Sequence, residues 1–221
     1  MQANYVQRIR LKFGKEGPAR FISHLDLARA LERALNRSRL PVAYTQGYNP
    51  RPRVQFASAL ALGFTSSCEL ADVWLEEEVD VAAAQSKLAA VMPPGLPLYD
   101  IWEAPLSAAA MQATIVESTY KVDASELIDA DTLQERVKAL LGAEELVRER
   151  RGKKYNLRPL ILGLSVEAGS EGPRLAIRLS QLPGKTGRPD EVLLELGLDP
   201  LDVRVQRTAI VLQEEEEEEA A

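Results

Sequence analysis

The 221-residue sequence predicts an α+β fold made of two tandem ferredoxin-like units, each of βαββαβ type, followed by an acidic disordered tail. Three observations lead there. Hydrophobic periodicity switches between two and about 3.6 residues, the resulting element order runs through the same rhythm twice, and proline with small residues breaks both periods at Ala104–Ala110. The units are placed at 1–104 and 111–213, with the tail at 214–221.

The first unit opens with Tyr5–Phe13, where charged and apolar residues alternate, a half-buried strand closed by Gly14 and Gly17-Pro18. A helix follows. Ser23 and Asp26 form a capping box, and Leu27, Ala28, Leu31, Ala34 and Leu35 share one apolar face until Pro41 ends the pattern. Val42–Thr45 and Arg53–Ala57 are short strand candidates around the turn at 46–50. Glu69–Val79 reads as a longer strand, Asp80–Val91 as a helix stopped by Pro93-Pro94-Gly95, and Leu96–Trp102 as a returning strand. The second unit repeats the order: strand 111–123, helix 130–141, strand 144–151, strands 159–168 and 173–180, a short helix 189–196 and a strand 202–212. The glutamate run Glu214–Glu219 has no apolar partner, so disorder or a frayed helix is expected there.

Apolar residues make up 46% of the chain, enough for each unit to bury a core. No apolar run approaches the roughly 18 residues a membrane helix needs, and the N-terminus lacks the layout of a signal peptide, so a cytoplasmic protein without a membrane partner is expected. Cys68 alone permits no intramolecular disulfide and no thiolate cluster, and His24 alone makes no histidine-rich metal site. The formal net charge of −6 arises wholly from the six glutamates at 214–219. The rest is neutral but segregated: residues 1–60 hold eleven Lys/Arg against Glu16, Asp26 and Glu32, whereas 69–103 hold eight acids against Lys87. A second basic cluster, Arg148, Arg150, Arg151, Lys153, Lys154 and Arg158, has only Glu149 within it. Such segregation points to a polyanion or an acidic partner at one face.

The densest constellation is FISHLDLARALERAL at 21–35 with YTQGYNPRPRVQFASALALG at 44–63; NLRPLI at 156–161, RPDEVL at 188–193 and RTAI at 207–210 extend it along the chain. In these stretches the sequence resembles the radical-SAM-associated protein family, of uncharacterised function. The resemblance implies a partner, a radical SAM protein with a cobalamin-binding domain, and no reaction. Radical SAM chemistry needs three cysteine thiolates, so no cofactor is expected in this chain. A phosphate loop at Lys185-Thr186 is rejected because Leu179 stands where its first glycine belongs.

Arg29, Arg33 and Arg37 recur every four residues, a basic stripe beside the apolar face of the first helix, and Arg39, Arg51 and Arg53 continue the supply of guanidinium groups. The plainer reading of the stripe is a solvated helix face paired to Asp26 and Glu32. Tyr44, Gln46, Tyr48 and Asn49 lie among these arginines, and rings beside guanidinium groups suit single-stranded RNA. A rigid loop set by Asn49-Pro50 and Arg51-Pro52, with Tyr48 packed on the sheet, is the plainer reading there. Lys153, Lys154 and Arg158 offer a further anion-binding patch or an exposed hairpin tip.

The expected function is a non-catalytic accessory module that binds RNA, or another anionic substrate, for the radical SAM partner. Two alternatives stay open. One is a metal-independent RNA-processing nuclease in which His24 is general base and Asp26 or Ser23 orients it, similar in architecture alone to the CRISPR repeat-cleaving endoribonucleases. The other is a protein–protein adaptor whose basic face docks on an acidic partner.

Overall fold

The computed structural model describes residues 5–124, 127–150, 152–169 and 172–213. The fold is α+β. Its contacts divide the chain into two units, residues Met1–Thr114 with Gln213–Ala221, and Ile115–Leu212.

In the first unit the elements are β1 (Gln7–Lys15), α1 (His24–Ser38), β2 (Val54–Phe56), β3 (Thr65–Leu75), α2 (Val81–Ala89), β4 (Leu98–Ala104) and a helical turn, α3 (Met111–Thr114). The strands lie in the order β4-β1-β3-β2, every pair antiparallel. Alternation along the strands separates two faces. Ile9, Leu11 and Phe13 of β1 and Ala71, Val73 and Leu75 of β3 join Leu27, Leu31, Ala34 and Leu35 of α1 and Ala84 and Leu88 of α2 in one buried cluster. The other face holds Arg8 and Arg10 opposite Trp74 and Asp72, and carries no helix of this cluster.

The first helix begins as its sequence says. Ser23 Oγ accepts from the Asp26 amide at 3.1 Å and donates to the Asp26 carboxylate at 2.7 Å. It ends at Ser38, before Pro41, because Arg39 turns into the left-handed region at φ 56°. Val42–Thr45 forms no strand. It contributes two isolated bridges, Val42 to Leu75 and Tyr44 to Pro52, since proline at 41, 50 and 52 removes the amides a ladder would use. The turn expected at Gly14 is also absent: β1 continues to Lys15, and the missing side chain of Gly14 leaves room for the Tyr99 phenol. β3 begins four residues earlier than expected and stops where Glu76–Glu78 end the alternation.

In the second unit the elements are β5 (Ile115–Asp123), α4 (Ala130–Gly142), β6 (Val147–Arg150), β7 (Lys153–Asn156), β8 (Ile161–Gly169), β9 (Gly172–Leu182), β10 (Lys185–Thr186), α5 (Pro189–Glu195) and β11 (Arg204–Leu212). β8-β9-β5-β11 is the strand order, again antiparallel throughout, with β10 beside the end of β9 and β6-β7 a separate hairpin. Leu133, Val137 and Leu140 of α4 and Val192 and Leu193 of α5 are buried, as are Leu175, Ile177 and Leu179 of β9. Asp129 caps α4 through the Thr132 amide at 2.9 Å, and that bond with the Thr132 hydroxyl holds its carboxyl below the usual carboxylate range. The strand expected at 144–151 is instead the first arm of the β6-β7 hairpin, and the one expected at 111–123 begins as α3 before turning extended. The acidic run at 214–219 and Arg151 lie outside the described residues. Among the described residues no helix is long and apolar enough to cross a membrane.

Candidate anion-binding sites

The arginine stripe of α1 is partly committed to the fold. Arg29 pairs with Asp26 at 3.2 Å in the open, and Arg37 donates to the Val91 carbonyl at 2.7 Å, tying α1 to the end of α2. Asp26 is held below the usual carboxylate range chiefly by the Ser23 hydroxyl, with Arg29 adding to it. Arg33 is exposed and has no ion pair among the described residues.

Arg39 is the described non-glycine residue with positive φ. A left-handed conformation costs a side-chain-bearing residue about 1–2 kcal/mol, and glycine is the ordinary occupant of this position past a helix end. Arg39→Gly is therefore expected to raise stability by about 1 kcal/mol in urea unfolding. An unchanged or lowered midpoint would show that the arginine side chain stabilises the fold.

From α1 the chain wraps the β2 edge of the sheet. The Tyr44 hydroxyl reaches Asn36 of α1 at 2.8 Å. Gln46, Tyr48, Asn49 and Arg51 are exposed, Tyr48 wholly so; its ring does not pack on the sheet. Thr45 and Arg51 hold the loop closed by a 2.8 Å backbone bond and by the Thr45 hydroxyl on the Arg51 amide.

Arg53 then arrives on the face away from α1 and α2, where Gln55 meets Gln112 of α3 at 3.5 Å. Its amide donates to Ala43 at 2.7 Å and its carbonyl accepts from the Trp74 amide at 3.3 Å, so the backbone is fixed from both sides. The guanidinium lies 4.7 Å from the Tyr5 ring centre and 5.0 Å from that of Trp74. It has no ion pair among the described residues. Beside it Arg8, 5.0 Å from Trp74, and Arg10 share the single carboxylate of Asp72, which leaves this network one positive charge in excess. A pocket of about 480 Å³ opens here, with Thr45, Gln55 and Leu106 on its walls. Arg53 and the helix stripe thus serve opposite faces of one sheet rather than a continuous surface. The signal for the second face was present in the sequence: Arg8, Arg10 and Lys12 run in phase along β1, opposite Ile9, Leu11 and Phe13.

His24 stands at the first position of α1 with its ring 5.2 Å from Phe56 and a buried Nδ1 that has no hydrogen-bond partner. Asp26, expected to orient the imidazole, is engaged instead by Ser23 and Arg29. Among the described residues no three His, Cys, Asp or Glu side chains group to hold a metal ion.

In the second unit Arg158 gives both Nε and a terminal nitrogen to the Leu141 carbonyl, at 3.2 and 3.0 Å, and so closes the end of α4. Lys153 and Lys154 are exposed and alternate on β7. Only Lys153 lines the cleft of about 720 Å³ between the β6-β7 hairpin and the β9-β10 turn, where it meets Arg150, Lys185 and Arg188. Behind the cleft, Arg148 pairs with Glu195, and burial pushes the Glu191 carboxyl up against the pull of Arg148 and Arg150. Sequence reasoning weighed Lys185 only as part of a rejected phosphate loop and gave Arg188 no role; both lie far along the chain from the hairpin and meet it only through strand pairing.

A family model described as an uncharacterised protein conserved in bacteria (DUF2344) matches residues 8–189. No curated protein matches the chain. A chain from the crystal structure of a Cbf5-Nop10-Gar1 complex resembles it with a TM-score of 0.46 and 12% identity, covering 97% of this chain and 52% of that one. The present chain therefore spans about half the length of that solved chain, and the likeness is too distant to bear on function.

Proposed function

The chain belongs to the DUF2344 family of uncharacterised bacterial proteins, and from that premise we propose that it is a non-catalytic module that binds single-stranded RNA on the face of its first unit away from α1 and α2. We read both units as ferredoxin-like on the strand orders given above; because Arg8, Asp72 and Trp74 are buried on that face, the ligand would be met by half-buried Arg53 and the exposed loop that precedes it. The observation that carries the reading is Arg53, set against the edge-on ring pair Tyr5 and Trp74 and without an ion pair among the described residues. The rings hold the cation and leave its N–H groups for a phosphate, while exposed Tyr48 and Tyr44 offer rings for bases along the same loop. A radical SAM protein with a cobalamin-binding domain as partner rests on the sequence resemblance alone.

The test is fluorescence anisotropy with a labelled single-stranded oligoribonucleotide over a salt series. Affinity should fall steeply as salt rises, because phosphate contacts release counterions. Arg53→Ala should weaken binding about tenfold, and Arg53→Lys nearly as much, since an ammonium neither stacks nor forks. Replacing Arg29, Arg33 and Arg37 together by alanine should weaken binding less and flatten the salt slope. Unchanged affinity in both Arg53 variants would overturn the proposal.

A further inference from the structure

The cleft of the second unit has a chemistry different from that of a phosphate-binding strip. Two walls carry the charge: Arg150 and Lys153 on the hairpin, Lys185 and Arg188 on the turn and its exit. Arg188 is answered by Asp190 at 2.7 Å, whereas Arg150, Lys153 and Lys185 have no ion pair among the described residues. Between the walls the floor is apolar. Leu162 and Leu182 are 47% and 41% exposed on it, and Tyr155 stands half-buried at its side.

The frame that holds these groups is fixed. Arg150 and Lys153 are paired rungs of the hairpin, which Arg148 anchors to α5 through Glu195 and, at 3.2 Å, the Glu191 carbonyl. Across the cleft Ser180 Oγ donates to the Lys185 carbonyl at 2.7 Å, and the Gly187 amide donates to Ser180 at 2.8 Å. Gly187 packs so closely on the Leu160 carbonyl that an added Cβ would lie 3.0 Å from it. The backbone that carries the cations is thus set before any ligand arrives.

A bare phosphate backbone makes no use of exposed leucines, and a neutral apolar molecule leaves the cations unpaired. The ligand that satisfies both is an anion with an apolar body, and about 720 Å³ is the size of site that takes a small organic molecule. We propose that this cleft is a binding site for an organic anion with an apolar body, its acidic group held by Arg150, Lys153 and Lys185 and its body seated on Leu162, Leu182 and Tyr155. This site is separate from the RNA surface proposed on the first unit and does not depend on it.

The experiment uses the full chain and anilinonaphthalene sulfonate, an aromatic body with one sulfonate, read by its fluorescence. One saturable site is expected in the wild type, weakened at least tenfold by Arg150→Gln with Lys185→Gln and by Leu162→Ser alone, and unchanged by Lys87→Ala on the first unit. Octyl phosphate and naphthyl phosphate, competed separately, should displace the probe at concentrations where inorganic phosphate and octanol do not. Stronger displacement by one of the two then identifies an aliphatic or an aromatic body. Probe binding indifferent to the cleft variants would overturn the proposal. So would displacement by inorganic phosphate as strong as by octyl phosphate, or displacement by oligoribonucleotide but by neither amphiphile, which would make the cleft an RNA site.

Discussion

Asp72→Asn is expected to lower the stability of the first unit by about 3–5 kcal/mol. Asp72 is completely buried and accepts from two arginines: Arg8 through Nε at 3.0 Å and through a terminal nitrogen, Arg10 through Nε at 2.8 Å and a terminal nitrogen at 3.1 Å. Asparagine keeps the shape but withdraws the one negative charge facing Arg8, whose side chain is 1% exposed. A guanidinium in that position has no water to turn to, so its loss of partner costs far more than the pair itself contributes. The same arginine donates to the carbonyls of Ala108 at 2.6 Å and Ala109 at 3.1 Å, so the segment after β4 should loosen as well. Urea unfolding followed through Trp74 and Trp102, both in this unit, reads the change. Asp72→Leu with Arg8→Met and Arg10→Met removes the charges together and should recover much of the loss. A cost under about 1 kcal/mol for the single asparagine would show that the pair is solvated in solution.

Gly95→Ala is expected to cost about 3 kcal/mol, from two causes that add. At φ +80° a residue with a Cβ pays about 1–2 kcal/mol in conformation. The new methyl would also lie 2.8 Å from the Glu16 carbonyl oxygen and 2.9 Å from the Ala19 Cβ, an overpacking worth about 1–3 kcal/mol. Neither neighbour can retreat easily, because the Glu16 amide is bound to the Gly95 carbonyl at 2.8 Å. Gly63→Ala is the control. It shares the left-handed geometry, at φ +86°, but nothing lies within 4 Å of its added methyl, so only the conformational part should appear in thermal unfolding. Equal losses in the two variants would remove the steric argument.

The elements most legible in the sequence were those whose signal is local. α1 could be read from Ser23, Asp26 and five apolar positions because cap and stripe are properties of neighbouring residues. β1 could be read from strict alternation. What alternation does not say is which face of a sheet is covered. Arg8 looks in sequence like a solvent-facing cation and is 1% exposed, held by a carboxylate 64 residues away and by the carbonyls of a later segment. Arg158 was misjudged in the same way: a basic residue in a basic cluster, it closes a helix end 17 residues back. The cleft of the second unit was only half legible, through Arg150 and Lys153 of its basic cluster, for the complementary reason. The β6-β7 hairpin and β10 are short and polar, with little periodicity to detect, and Lys185 meets Arg150 only after β8, β9 and the turn have folded. Tyr48, by contrast, was placed among the arginines of a Gly/Pro loop by composition alone, and the loop does present it to solvent.

The ends of the second unit share one rung. Ile115, where β5 starts, is paired with Leu212, where β11 finishes, and the next residues outward, Thr114 and Gln213, are joined by a 2.6 Å backbone bond. Entry and exit coincide, so a short linker between them would close the unit into a ring that can be reopened at a loop elsewhere, the geometry that circular permutation requires.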